Sequence, residues 1–240
     1  MKSSLFLLLN LLALAAWAQP LPRIVFMAPT NHSMPWAEFH EGRLLGGILK
    51  ELGDELAARM GYQAQFLPMP SQRVRQALRA GEADVLCYVI PGWIGADFGW
   101  TLPVLPHAEV IATRAPSEPF KHLQDLAGRR VGTVLGYRYP TLEKALGAGF
   151  VREDAPSMGS NLRKLSAGHI VFAVTESITL RHHARQYPAV ALQEVWVVER
   201  FDVPCALSLR SKLALADLNH AIQSLTQDGS LRRLLARFGS

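Results

Sequence analysis

The chain has 240 residues, 25 Lys+Arg against 20 Asp+Glu, a formal net charge of +5 and only two cysteines. That length accommodates one large domain or two modest ones, each with a real core. Its arginines are scattered over predicted helices rather than gathered in a tail or stripe, which argues against nucleic acid as a partner and for a solvated basic surface.

Residues 1–18 read as a secretory leader. Met1–Ser4 carry one lysine, Leu5–Ala16 are apolar, and Ala16-Trp17-Ala18 has the small-x-small pattern cleaved after Ala18. The apolar stretch is shorter than the ~20 residues that span a bilayer. No cysteine follows the cleavage site, so a free protein outside the cytoplasm is expected, periplasmic in a Gram-negative cell. Loss of Lys2 takes the net charge from +5 to +4. Cys87 and Cys205 both lie in apolar strand-like runs, where a cysteine serves as a small buried hydrophobe; an oxidising compartment also permits them to bridge.

In chain order, Arg23–Ala28 predicts a strand and Leu44–Met60 a helix stopped by Gly61, with Leu45, Ile48, Leu49, Leu52, Leu56 and Met60 at helical spacing. A strand at Gln63–Leu67, a helix capped by Ser71 and running to Ala80, and a strand at Ala83–Ile90 follow, an order that suits parallel pairing. Trp100–Ala112 reads as an extended crossing segment. Then come a strand Arg130–Leu135, a helix Leu142–Leu146, a helix around Asn161–Ala167, a strand Ile170–Thr175, a helix Ser177–Tyr187 and a strand Val190–Val198. A second extended stretch spans Val203–Leu209, and two helices, Ala214–Gln227 and Ser230–Phe238, close the chain.

The helix-glycine-strand phrase Leu78-Arg79-Ala80-Gly81-Glu82-Ala83-Asp84-Val85-Leu86 returns loosely as Leu165-Ser166-Ala167-Gly168-His169-Ile170-Val171-Phe172-Ala173. Two similar α/β units imply two lobes with a cleft between them, a common place to enclose a small solute. The two extended crossings predict a two-stranded hinge. One lobe is expected over 19–108 and 204–240, the other over 109–203, with the C-terminal helices packing back on the first.

Metal and covalent chemistry find little support in spacing. His182-His183 point in different directions on a helix, and His32, His40, His107 and His169 show no ligand spacing. Gly42–Gly47 lacks the lysine-hydroxyl ending of a phosphate loop. No cofactor or metal is expected.

Seven phrases in order resemble the family 3 extracellular solute-binding proteins: Pro35-Trp36, Gly42–Ile48, Ala77–Val85, Trp100-Thr101-Leu102-Pro103, Asp125–Gly132, Leu165–Glu176 and Ser224–Phe238. The resemblance covers essentially the whole chain after the leader. It implies a type II periplasmic-binding-protein fold, two Rossmann-like α/β lobes trapping a small polar, amino-acid-like solute for delivery to an inner-membrane ABC importer. The carrier is expected to be a monomer.

The resemblance also implies site residues. Gly136 and Tyr137 open a loop that offers backbone N–H groups to a ligand carboxylate; the bland alternative is an ordinary strand-to-helix turn. Glu176 stands where amino-acid binders place an acid against the ligand ammonium, or else serves as a helix cap. Trp36, Tyr88 and Trp93 are candidates for aromatic walls, with core packing the alternative for Tyr88. The family's carboxylate-binding arginine is missing from Trp93-Ile94-Gly95-Ala96; Arg73 or Arg138 can replace it, or either is a surface arginine. Two other readings stay open: a cyclohexadienyl-dehydratase-like enzyme with Glu176 as general acid, and a ligand-sensing module for a membrane receptor.

Overall fold

Apolar runs punctuated by glycine set the order of elements. A computed structural model describes residues 20–117 and 120–239, so the leader expected at 1–18 lies outside the described residues. The first half contains β1 (Arg23–Pro29), a hairpin of β2 (Glu38–His40) and β3 (Arg43–Gly46), α1 (Ile48–Arg59), β4 (Gln63–Met69), α2 (Ser71–Ala80), β5 (Val85–Cys87), the single turn α3 (Pro91–Ile94) and β6 (Gly99–Trp100). Next come β7 (Leu105–Arg114), β8 (Arg130–Val134), α4 (Pro140–Leu146), β9 (Val151–Ala155), α5 (Met158–Ser166), β10 (Phe172–Glu176), α6 (Ser177–Gln186) and β11 (Leu192–Val203). The chain closes with β12 (Cys205–Leu207), α7 (Leu215–Gln227) and α8 (Ser230–Arg237).

These strands form two five-stranded sheets, ordered β4-β1-β5-β12-β6 and β11-β7-β10-β8-β9. Each is mixed: β1 runs parallel to β4 and β5 while β12 runs antiparallel, and β10 runs parallel to β8 while β7 runs antiparallel. The chain crosses between sheets twice, after Trp100 and after Val203. The crossings are neighbours, since Val104 N donates to Val203 O at 2.9 Å and Thr101 N to Cys205 O at 3.0 Å. This pair is the two-stranded hinge.

The repeated phrase performs the same local task in both lobes. Gly81 ends α2 at φ +77° and Gly168 follows α5 at φ +75°, left-handed conformations that a side chain rarely adopts. Asp84 then ties the first sheet together, accepting from Val25 N at 2.9 Å and from Ser211 Oγ at 2.7 Å. In the first lobe Ile24, Ile48, Leu52 and Leu56 pack with Leu218, Ile222, Leu225 and Leu234. The closing helices therefore lie against α1, as the sequence implied.

Several local expectations are corrected. The helix expected from Leu44 starts only at Ile48, because 43–46 pair with β2 and Gly47 adopts φ +100° with its Cα pressed on Trp36; a Cβ there would lie 2.6 Å from Trp36 O. The strand expected to Ile90 stops at Cys87, where Tyr88 turns to φ +63°. Ser71 does not cap α2; Pro70 holds the cap position, and Asn31 Oδ1 accepts from Ser71 N at 2.8 Å. Strand β9 had no periodic signal in the sequence.

Of the two readings open for the cysteines, the bridged one holds. Cys87 and Cys205 are a directly opposed pair on β5 and β12, joined by a disulfide across a sequence separation of 118.

The lobes touch through polar groups on the loop after β1. Asn31 Nδ2 donates to Pro156 O at 2.8 Å and to Leu135 O at 3.3 Å, and Gly159 N donates to Ser33 Oγ at 2.9 Å. Asn31 thus bridges the start of α2 to the second lobe. Its replacement by alanine strands at least one buried partner at about 1–3 kcal/mol, enough to shift a hinge equilibrium toward the open form. A larger radius of gyration for Asn31→Ala in solution X-ray scattering is the expected result.

Candidate functional site

Between the lobes lies a cavity of about 260 Å³. The first lobe contributes its floor through α2, β5 and α3; the second contributes the ends of β7 and β10 and the loop before α4. The hinge lies behind it.

The dominant feature is acidic. Glu176 on β10 stands opposite Glu109 on β7, and Glu109 stands opposite Glu199 on β11. Directly opposed residues of antiparallel strands project to the same face, so three carboxylates lie abreast, an arrangement that is destabilising without a cation. Glu109 and Glu176 line the cavity and are each only 5% exposed. Glu109 Oε1 and Glu176 Oε2 have no hydrogen-bond partner. Burial lifts the Glu176 carboxyl to about 7. Burial also holds Glu109 well above the ordinary carboxylate range, with Glu199 and Glu176 adding to the rise.

Aromatic groups face these acids. Tyr88 stacks on Trp36 with ring centroids 3.9 Å apart, and its hydroxyl bonds His107 Nδ1 at 2.7 Å. Trp93 stands edge-on to His107 at 5.4 Å, and its buried Nε1 has no partner. Across the gap Tyr137 Oη bonds His32 Nδ1 at 3.1 Å, a further contact between lobes. Burial lowers His32 and His107 to about 4, so both rings are neutral near pH 7 and add no positive charge.

The predicted site residues divide clearly. Tyr88, Trp93, Gly136, Tyr137, Arg138 and Glu176 line the cavity, whereas Trp36 and Arg73 do not. Trp36 is buried behind Tyr88, supporting the wall without forming it. Arg73 lies on the solvent side of α2, and the lining residue of that helix two positions on is Arg75. Glu176 occupies the cap position of α6, yet its side chain makes no capping hydrogen bond.

Two backbone donors of the loop after Gly136 are engaged within the chain. Tyr137 N donates to Val134 O at 3.1 Å, Tyr139 N donates to Glu143 Oε1 at 3.1 Å, and Pro140, the first residue of α4, has no N–H. Glu143 thus takes the Tyr139 donor that a ligand carboxylate could otherwise use. Gly136 instead permits close approach of the lobes: at φ +83°, a Cβ there would lie 2.7 Å from Gln72 Cγ. Arg138 is likewise engaged, its Nη2 2.8 Å from Glu143 Oε2. Arg75 lies 3.7 Å from Asp97, with half its side chain exposed. Among the described lining residues, then, both arginines face acids at the rim, and the buried charge is carboxylate.

No family model matches the chain, and no curated protein sequence matches it. Solved structures do match. One is an ancestral arginine-binding protein bound to arginine, at 21% identity over 91% of this chain and 98% of that one, with a TM-score of 0.75. An amino acid ABC transporter substrate-binding protein from Streptococcus pneumoniae bound to L-arginine shares 18% identity over 90% and 94% of the two chains, TM-score 0.74. An ancestral amino acid-binding protein described as a precursor of cyclohexadienyl dehydratase shares 16% identity over 91% and 96%, TM-score 0.74. The chain has the type II periplasmic-binding-protein fold. The cavity described above lies between the two lobes of this fold, with Glu109 and Glu176 in its lining.

Glu109 and His107 were missed by sequence reasoning. Their signal was present in Leu105-Pro106-His107-Ala108-Glu109-Val110: two polar residues at strand period, on one face of an otherwise apolar crossing segment.

Proposed function

We propose that this protein is an extracytoplasmic solute-binding protein that captures a small organic cation between its lobes and presents it to an inner-membrane ABC permease. In this reading residues 19–108 and 204–240 form one lobe, 109–203 the other, and the carrier works as a monomer. The observation that carries it is the buried, directly opposed pair Glu176 and Glu109, each with an unpaired oxygen at a cavity whose arginines are both paired at the rim. An ammonium or guanidinium group supplies the missing charge, and Tyr88 and Trp93 offer faces to a cation or to its apolar stem. The likeness to arginine-bound structures supports a cationic, amino-acid-like solute. Export is supported by the leader pattern and by the disulfide, a bond of oxidising compartments.

A thermal-shift panel of amines, guanidines, cationic amino acids and their neutral and anionic analogues tests the reading. Cations should raise the melting temperature, since a ligand bound only by the native state stabilises it by mass action. A rise restricted to anions would remove the proposal.

The buried, half-protonated Glu176 also supports a second reading, a dehydratase with Glu176 as general acid, toward which one structural neighbour's description points. The cavity's lack of a buried cation for substrate carboxylates counts against it. Turnover of prephenate by the purified protein would favour it.

A further inference from the structure

At the solute cavity, Glu109 meets two side chains that the capture of an organic cation does not require, His107 and Glu199. One ring nitrogen of His107 and one carboxylate oxygen each from Glu109 and Glu199 lie within 4.8 Å of one another. We propose that His107, Glu109 and Glu199 form a binding site for a divalent first-row metal ion, zinc in the first instance, open on the cavity side.

The geometry supports each ligand separately. His107 is 6% exposed; Tyr88 Oη engages its Nδ1 at 2.7 Å, and its Nε2 is buried without a partner. A histidine whose other nitrogen is held by a hydrogen bond is fixed in ring orientation and tautomer, as metal-bound histidines usually are. Glu109, 5% exposed, leaves Oε1 without a partner. Glu199 is oriented by Thr141, whose Oγ1 donates to Glu199 Oε2 at 2.8 Å, leaving Oε1 to coordinate.

The backbone places them together. His107 and Glu109 share a face of β7 at strand period, and Glu199 opposes Glu109 on β11, where a register shift lies between Val197 and Glu199. Sequence spacing does not reveal such a set, because its third member sits 90 positions away on the returning crossing (199 − 109). Donor atoms around zinc, at about 2.0–2.2 Å from the ion, lie about 3.4 Å apart, so the three atoms need close by no more than about 1.4 Å. One imidazole and two carboxylates suit zinc or manganese better than magnesium, which prefers an all-oxygen octahedron. Three protein ligands leave a position open toward the cavity, where a bound solute with a free amine or carboxylate can join the ion.

The site shares Glu109 with the proposed solute site, and its test is kept separate by using metal alone. The whole exported protein is stripped with chelator and titrated with zinc by calorimetry and by competition with a chromophoric chelator, with no organic solute present. One equivalent of zinc per chain is expected, weakened at least tenfold in His107→Gln and in Glu199→Gln and unchanged in Asp54→Asn, a substitution on the exposed face of α1. Cobalt substitution adds a spectroscopic readout: visible bands of a four- or five-coordinate ion in the parent, lost in both variants. Far-ultraviolet circular dichroism establishes that each variant is folded, and the conservative Glu199→Asp should recover part of the affinity. Absence of stoichiometric zinc, or binding of equal strength in parent, His107→Gln and Glu199→Gln, overturns the site. Either result leaves capture of an organic cation to be judged by its own thermal-shift test.

Discussion

Replacing Glu176 by glutamine is expected to weaken a bound organic cation sharply and, at pH 8, to stabilise the empty protein. Removing one partner of a buried charge pair costs about 2–5 kcal/mol, a factor of about 30 to several thousand in affinity. The stability effect has the opposite sign and a separate cause. Burial raises the Glu176 carboxyl from an ordinary 4.5 to about 7, so between those values the folded protein retains a proton that the unfolded chain has released. The stability this group lends is therefore complete below about pH 4.5 and is lost as pH rises through 7. By pH 8 the loss amounts to about 3 kcal/mol, which glutamine, having no charge to bury, avoids. Denaturant unfolding of the empty protein should show Glu176→Gln more stable than the parent at pH 8, with the difference closing near pH 4.5. A variant of unchanged affinity and unchanged stability would make Glu176 a residue of the helix start and nothing more.

Loss of the Cys87–Cys205 bridge is expected to be the largest single blow to stability. The disulfide closes a loop spanning a sequence separation of 118, and in the chain-entropy account a loop of about 100 residues is worth about 4.7 kcal/mol. The bond also sits at a mechanically sensitive point. Cys205 opens the strand that follows the second crossing, and Thr101 of the first crossing accepts from Cys205 N through Oγ1 at 2.8 Å. Cys87 immediately precedes Tyr88, whose ring and hydroxyl shape the cavity. Reduction, or the double replacement by alanine, should lower the unfolding free energy by about 3–5 kcal/mol, seen as a fall in denaturant midpoint with a steeper slope as the unfolded chain expands. A midpoint insensitive to reductant would show that the bridge constrains little.

The fold was readable because its signals are local and repeated. Gly81 and Gly168 each end a helix before a buried strand, and both need a backbone conformation that glycine tolerates, so the phrase carries its own structural meaning. The helical spacing of Ile48, Leu52 and Leu56 likewise marks the face that meets the C-terminal helices. Boundaries failed where a backbone twist overrode the pattern, as at Gly47 and Tyr88, and at β9, which has no alternation to announce it.

The site was less legible, for a different reason. Glu176 was visible because it ends a strand, where side chains reach a crevice. Glu109 interrupts an apolar strand and gains its meaning only from pairing with Glu176 and Glu199, contacts that no local window contains. At the loop expected to offer donors at Gly136–Tyr137, the engagement of Tyr137 N by Val134 O and of Tyr139 N by Glu143 is a matter of geometry that the residue pattern does not show. Trp36 and Tyr88 show the same limit: both are buried aromatics, and only their stacking order reveals which one faces the cavity.

Proton release on binding probes the central claim, a cation received by buried carboxylates, most directly. At pH 7, Glu176 is about half protonated in the empty protein and must ionise to meet a cation. Calorimetry of a cation selected from the panel, repeated in buffers of different ionisation enthalpy, should register release of about half a proton or more per site, with affinity rising from pH 6 to pH 8. Binding without proton release, or with uptake and with affinity falling over that range, would contradict the account.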